Sequence, residues 1–350
     1  MNDAVAVVMA GGRGQRFWPL STETRPKQFL DLERSGRSLL QTTIDRVTPL
    51  VGDLEHVLIA TAEGYAELVR EQVPELPPEN LLIEPVGRDS APAIALAALE
   101  IRRRFGDVIM GVFSSDHRVA DPERFRVSMR AAMALSAERR GLVTVGVPPT
   151  RAATGYGYLE RGEPVQGGFR VARFVEKPNR NRAEAYLASG RYLWNAGIFV
   201  WSVDTILSEL DRSAPELMGP LREAFAHGVV AERFASLPKV SIDYAVMEKA
   251  AAVYGVEGDF GWDDIGDWLA LERLLPRDEG EVRVVLGRHA GHDANGNIVY
   301  TEGDDDVLVA FGVEGLVIVK RGDTVLVFPK ERVAEIKTLL EDERLRELVP

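Results

Sequence analysis

The sequence predicts an α/β fold: a mostly parallel sheet flanked by helices, followed by a small β-rich C-terminal domain. Three observations carry this. The first half of the chain alternates short β-rich apolar runs with amphipathic stretches. The stretch from 282 onward holds five β-rich runs separated by Gly and Asp turns, with no helical pattern between them. The composition, 45% apolar and 27% charged over 350 residues, is that of a globular chain of one large or two unequal domains.

In chain order, Val5–Met9 reads as a buried strand and Ser38–Val47 as a helix with Ser38 placed to cap it. His56–Ala60 is a strand, Glu63–Val73 a helix, Leu81–Glu84 a strand and Ser90–Arg103 an Ala-rich helix. Val108–Phe113, Pro122–Glu138 and Leu142–Val147 continue the strand–helix–strand alternation. Ligands of such sheets bind beyond the carboxyl ends of the strands. The loops after Met9, Glu84 and Phe113 are therefore expected to converge. Residues 151–275 are less regular, with strands near Arg170–Val175 and Ile198–Trp201 and several short helices. Val282–Leu286, Asn297–Tyr300, Val307–Phe311, Leu316–Val319 and Thr324–Phe328 form the small β domain, and Glu331–Leu348 closes it as an amphipathic helix. A boundary near 276–281 divides the chain into regions 1–275 and 282–350.

Several function classes are excluded at this level. Cysteine is absent, so there is no disulfide framework, thiolate nucleophile or Cys-ligated metal. Of five histidines only His289 and His292 are near neighbours, in what reads as a Gly-rich turn, which argues against a His-rich zinc site. A net charge of −12 argues against nucleic acid as a partner. No apolar run approaches the ~18 residues of a membrane span. The N-terminus has no basic region before its apolar stretch, so a cytoplasmic setting with no membrane partner is expected.

The first motif is Ala10-Gly11-Gly12-Arg13-Gly14-Gln15-Arg16, directly after the first strand. It lacks the Gly-Lys-Ser/Thr ending of a P-loop, and Phe17 stands where a dinucleotide fingerprint needs its last glycine. A glycine cluster alone favours a tight surface turn. Arg13, Arg16 and Lys27 beside it fit a triphosphate better. The second motif, Glu84-Pro85-Val86-Gly87-Arg88-Asp89-Ser90, joins a strand to a helix. Its carboxylate could accept the paired N–H donors of guanine, while Asp89 or Ser90 caps the helix. Asp116, after the fourth strand, and Asp264, in Gly261-Trp262-Asp263-Asp264-Ile265-Gly266-Asp267-Trp268, could complete a Mg²⁺ shell with phosphate oxygens, though an Asp after a strand is more often a turn or cap residue and the 261–268 acids also read as a solvated turn and helix cap. Glu176-Lys177 and Trp194-Asn195-Ala196-Gly197 suit a polyhydroxyl phosphate ligand, gripped by Glu and Asn through paired hydrogen bonds, although each alone reads more readily as a surface ion pair or a satisfied turn residue; Gly155 lies in a Gly-Tyr-Gly-Tyr stretch that is equally a β-turn.

Taken together, AGGRGQRFWPLSTETRPKQF at 10–29, EPVGRDSAPAI at 84–94, FVEKP at 174–178, WNAGIFVW at 194–201, SIDYAVMEK at 241–249 and GWDDIGDW at 261–268 resemble the sugar-nucleotide pyrophosphorylases. Within these they are most similar to the bacterial mannose-1-phosphate guanylyltransferase family. The resemblance covers most of 1–275. It implies a Rossmann-like mixed sheet, with a C-terminal part similar to the family's short left-handed β-helix. The implied reaction joins mannose 1-phosphate and GTP to give GDP-mannose and pyrophosphate. Carried over residue by residue, Gly11, Gly12 and Gly14 line the phosphates, Arg16 holds the leaving group and Lys27 stabilises charge at the α-phosphate. Glu84, Gly87, Arg88 and Ser90 surround the base. Asp116 and Asp264 bind Mg²⁺. Glu176, Asn195 and Gly155 hold mannose, with Lys177 on its phosphate. The chain departs from the family at Asp89 and Asp263, where Asn is commoner, and at Asp267 and Ala196, where Ser is. These departures bear on base choice, metal environment and fine specificity. The chain is shorter than the bifunctional relatives, which implies a single activity. Apolar faces on the C-terminal runs suit a homodimer. Two alternatives are a glucose-1-phosphate nucleotidyltransferase using UTP or dTTP, and a catalytically silent GDP-mannose-binding regulator.

Overall fold

The computed structural model describes residues 4–12, 14–274, 284–303 and 305–348. Arg13, the boundary near 276–281 and the start of the 282–286 run lie outside the described residues. The chain packs as two compact units, 1–11 with 41–115 and 119–262, and 12–40 with 116–118 and 263–350. These units are discontinuous in sequence, a different division from a single cut between 275 and 282.

The first unit begins with β1 (Ala4–Met9), α1 (Leu39–Val51), β2 (Val57–Ala62), α2 (Ala66–Gln72), β3 (Leu81–Glu84), α3 (Ser90–Phe105) and β4 (Ile109–Ser114). After a short β5 (Arg118–Val119) come α4 (Pro122–Arg139), β6 (Leu142–Val147), β7 (Tyr158–Val165), β8 (Gly168–Val175), α5 (Arg180–Ser189) and β9 (Tyr192–Ser202). Helices α6 (Val203–Ser213), α7 (Pro215–Ala226) and α8 (Val230–Arg233), then β10 (Val253–Glu257) and β11 (Trp262–Asp263), complete the list. Nine of these strands form one mixed sheet in the order β3-β2-β1-β4-β9-β6-β10-β8-β7. Consecutive residues of β1 and β2 are buried, as expected when both faces of a parallel sheet are covered. Val5, Val7 and Val8 are fully buried, and each gains about 1.5–3 kcal/mol from leaving water.

Strands β1–β4 are mutually parallel, so their carboxyl ends lie along one edge. There Ala10 donates its N–H to Ala60 (2.7 Å), Thr61 Oγ1 donates to the Ala10 carbonyl (3.0 Å), and Ser115 N–H to Met9 (3.1 Å). Strand β9 differs from the sequence expectation. It begins at Tyr192 and carries Trp194-Asn195-Ala196-Gly197 inside the sheet, not in a turn. The turn-like signal comes from a bulge: Thr144 faces Phe199 but Gly146 faces Asn195, and Gly197 takes φ 64° between them.

The second unit contains α9 (Trp268–Leu274) and the strands β12 (Val284–Leu286), β13 (Arg288–His292), β14 (Ile298–Thr301), β15 (Val307–Phe311), β16 (Leu316–Arg321) and β17 (Thr324–Pro329). Strands β12, β14 and β16 stack in parallel, as do β13 and β15, while β17 folds back antiparallel on β16. Two parallel ladders built from alternate strands are the pattern of a short β-helix. His289 and His292 lie in strand β13, not in a Gly-rich turn, and their odd spacing points them to opposite faces. The C-terminal segment is not one helix. It runs as a 3-10 stretch Lys330–Glu335, α10 (Ile336–Leu340) and α11 (Glu343–Leu348), broken where the Asp342 carboxylate accepts the Arg344 N–H. Phe17, Trp18, Leu30 and Leu32 from the glycine-rich segment share one core with Trp268, Ile298, Val317 and Ile336. The N-terminal signature is thus anchored on the β-helix and α9. No helix among the described residues is long and apolar enough to cross a membrane.

Candidate active site

In the first unit, Glu84 ends β3 and is 5% exposed. A Cβ on Gly11 would lie 3.7 Å from its Oε1, so the loop after β1 and the end of β3 do meet. Burial pushes the Glu84 carboxyl up to about 7, opposed by the Arg88 backbone N–H and helped by the charge of Asp89. The helix cap is Asp89, at φ 68°, whose Oδ1 accepts the Ser90 N–H at 2.8 Å. Ser90 Oγ accepts the Ile242 N–H at 2.9 Å, which leaves its hydroxyl hydrogen and one lone pair for a ligand. Arg88 Nε is buried without a hydrogen-bond partner. Gly87 faces open space.

The residues expected to hold a sugar phosphate also come together in this unit. Asn195 Oδ1 accepts from Thr144 Oγ1 (2.9 Å) and Gly197 N–H (3.2 Å), and its Nδ2 donates to Asp243 Oδ1 (3.1 Å). An amide has two lone pairs and two N–H groups. Asn195 therefore keeps one donor for a ligand, not the paired grip expected from its sequence. Glu176 pairs with Lys177 at 2.8 Å, which raises the Lys177 pKa. Gly157, not Gly155, is the close-approach glycine: a Cβ there would stand 2.5 Å from Glu176 Oε2 and 3.2 Å from Asn195 Cβ, whereas Gly155 has nothing within 4 Å. Asp243 is a residue that sequence reasoning misses. Burial, then the Glu176 charge, push it up to about 7. Its only sequence signal is an acid inside the 241–249 motif. Ala196 is fully buried, so it shapes the strand and not a ligand surface. Arg151 lies over the Tyr156 and Trp194 rings at 5.1 Å each, and Tyr156 also meets Trp262 edge-on at 5.2 Å.

The second unit carries Arg16 and Lys27. Gly14 has φ 48°, and a Cβ on it would lie 2.6 Å from the Lys27 backbone nitrogen. Only glycine meets both demands. Lys27 is 6% exposed. Its Nζ lies 3.0 Å from Asp116 Oδ2 and donates to the carbonyls of Asp264 (2.7 Å) and Ile265 (3.0 Å). An ammonium has three donors, and all three are filled. Ile265 is a β-branched residue at φ 40°, a strained position. The strain is held by Lys27 and by Asp263, whose Oδ1 accepts the Ile265 N–H at 2.8 Å. Asp263 also pairs with Arg273 at 3.1 Å, so its carboxylate is engaged within the protein. Asp267 Oδ1 is buried without a hydrogen-bond partner. Arg16, Lys27, Asp116, His117 and Asp264 line a cavity of about 410 Å³ within this unit. Among the described residues no three His, Asp or Glu come together as a metal cage. A cation beside Asp116 and Asp264 would complete its shell from phosphate and water, as Mg²⁺ does at nucleotides.

The sequence pattern of the nucleotidyl transferase family matches residues 5–280. The chain belongs to this family. The nucleotidyl transferase region is followed at 287–342 by a match to the mannose-phosphate isomerase/GMP-like β-helix domain, in agreement with the parallel ladders of β12–β16. The chain is 40% identical to mannose-1-phosphate guanylyltransferases of Klebsiella pneumoniae and Escherichia coli, over 96% of its own length and 73% of theirs. It is likewise similar to a crystal structure from Thermus thermophilus described as a mannose-1-phosphate geranyltransferase. That likeness has a TM-score of 0.90 and 40% identity, over 99% of this chain and 100% of the other. This nucleotidyl transferase thus has the mixed-sheet catalytic fold and β-helix domain that its motifs imply.

Proposed function

We propose that the protein condenses mannose 1-phosphate with GTP to give GDP-mannose and pyrophosphate. A phosphate oxygen of the sugar phosphate attacks the α-phosphorus in line, and pyrophosphate leaves with the electron pair of the broken P–O bond. The observation that carries this reading is Lys27. It is a buried ammonium held between Asp116 and the 264–265 carbonyls, in a cavity shared with Arg16. No protein nucleophile is required, so catalysis is positioning and charge stabilisation.

In this reading Gly11, Gly12 and Gly14 let the backbone approach the phosphates, and Arg16 holds the leaving β- and γ-phosphates. Lys27 exchanges one of its three bonds for the α-phosphate as charge builds there. Glu84, Gly87, Arg88 and the Ser90 hydroxyl take the guanine. Glu176, the remaining Asn195 donor and the Gly155 backbone take mannose, with Lys177 on its phosphate. Asp243 orients Asn195. The nucleotidyl transferase family typically uses a divalent metal. Here Mg²⁺ is assigned to Asp116 and Asp264, where it supplies positive charge to the phosphate oxygens. We assign the chemistry to region 1–275 in a cytoplasmic enzyme. Region 282–350 serves as a C-terminal domain whose exposed Val307, Val309 and Phe311 suit a homodimer.

The test is pyrophosphate release with Mg²⁺ over a grid of nucleoside triphosphates and hexose 1-phosphates. Release with GTP and mannose 1-phosphate alone supports the reading. Release with another pair keeps the mechanism and moves the specificity. Tight GDP-mannose binding with no release from any pair overturns it in favour of a silent regulator.

A further inference from the structure

We propose that Lys337, on the C-terminal helix α10, is a substrate-contacting residue whose ammonium takes the pyrophosphate end of the nucleotide beside Arg16. This rests on the nucleotidyl-transfer reading above and extends it to a part of the chain that carries none of the signature motifs.

Lys337 lines the same 410 Å³ cavity as Gly14, Arg16, Lys27, Asp116 and Asp264. Its backbone is fixed there. Its neighbour Ile336 is 3% exposed and sits in the core that contains Phe17, and α10 packs on the 3-10 turn Gln15–Phe17. The helix therefore holds position 337 against the glycine-rich segment, while the residue itself is exposed.

Charge pairing separates Lys337 from its neighbours. Four other cations of the C-terminal domain are matched: Lys320 with Asp306, Lys330 with Glu272, Arg321 with Glu302 and Arg332 with Glu335. Lys27, within the cavity, is matched by Asp116. Arg16 and Lys337 form no ion pair among the described residues. Acids outnumber bases in this chain by 54 to 42. Two unmatched cations on one small cavity are therefore set for an anion that is not part of the protein. As the bond from the α-phosphorus breaks, negative charge accumulates on the departing pyrophosphate, and a nearby ammonium stabilises that charge. Lysine suits this role because it acts on phosphate as a point charge on a long flexible stem.

The experiment uses the full chain and four proteins: wild type, Lys337→Ala, Lys337→Arg and Arg332→Ala, the last removing the same charge from the same segment. The readouts are KM for pyrophosphate and for GDP-mannose in the reverse reaction, and calorimetric titration with Mg-pyrophosphate. Lys337→Ala is expected to raise the pyrophosphate KM about tenfold, the loss of one charge-assisted contact. The GDP-mannose KM should hardly move. Lys337→Arg should recover most of the loss, and Arg332→Ala should behave as wild type. An unchanged pyrophosphate KM in Lys337→Ala, or the same rise in Arg332→Ala, overturns the assignment. If wild type runs no reverse reaction, the functional reading fails by itself. The titration then decides Lys337 alone: weaker pyrophosphate binding in Lys337→Ala supports the site, and unchanged binding ends it.

Discussion

Glu84 offers the sharpest quantitative test of the base assignment. Its carboxyl sits at about 7 because burial disfavours its charge. Guanine offers N–H donors, so it needs the carboxylate. Near that pKa, about a tenth of the groups are ionised at pH 6 and about nine tenths at pH 8. Affinity for a guanine ligand should therefore fall about tenfold from pH 8 to pH 6. GDP-mannose is the ligand of choice, because its phosphodiester groups do not titrate in this range. Isothermal titration from pH 5.5 to 8.5 in several buffers reads both the affinity and the proton release on binding. Asp243 titrates in the same window, so Glu84→Gln and Asp243→Asn are run in parallel to separate the two contributions. Glu84→Gln should weaken binding at pH 8 and remove its share of the pH slope. The same shift appears in stability. The folded pKa lies above the ordinary value of 4.5, so the native state binds the extra proton. Stability contributed by this group is present at low pH and is lost as pH rises from about 4.5 to about 7, by about 3 kcal/mol. Denaturant midpoints of wild type and Glu84→Gln should converge at acid pH and part at neutral pH, with wild type the weaker. A flat binding profile in wild type, or an undiminished slope in Glu84→Gln, would refute the reasoning.

Three further outcomes are expected. Lys27→Ala should lower kcat by about 10²–10³, the range for a lost charge-stabilising donor, while equilibrium binding of mannose 1-phosphate changes little. Equal loss of both would remove its transition-state role. Gly14→Ala should abolish turnover, because its Cβ would meet the Lys27 backbone at 2.6 Å; near-normal steady-state rates would show that the loop relaxes freely. Asp263→Ala should cost about 2–3 kcal/mol in chemical denaturation, since it frees both Ile265 N–H and Arg273. Asp263→Asn keeps the first bond and should cost under about 1 kcal/mol; a larger loss would mean the ion pair dominates.

Much of this protein is written locally. The glycine run after β1, the strand–helix alternation to β6 and the turn-separated β runs are local patterns of period and turn chemistry, and they suffice for the fold class and the candidate loops. Strand β9 is legible only in its second half, because its bulge at Gly197 imitates a turn. Strand β13 is hidden by its glycine and histidines, which have no strand preference, and forms because it pairs with β15. The site divides in the same way. Glu84, Asn195 and Lys27 can be nominated by type and position, but their pairings cannot. Lys27 meets carbonyls 237 and 238 positions away. Asn195 spends three of its four hydrogen-bonding positions on Thr144, Gly197 and Asp243. Asp263 turns from a metal-facing candidate into the brace of a strained Ile265. Such facts depend on which donor reaches which acceptor after packing. That is set by the whole core, not by the residues nearby in sequence, and so only the tertiary structure decides them.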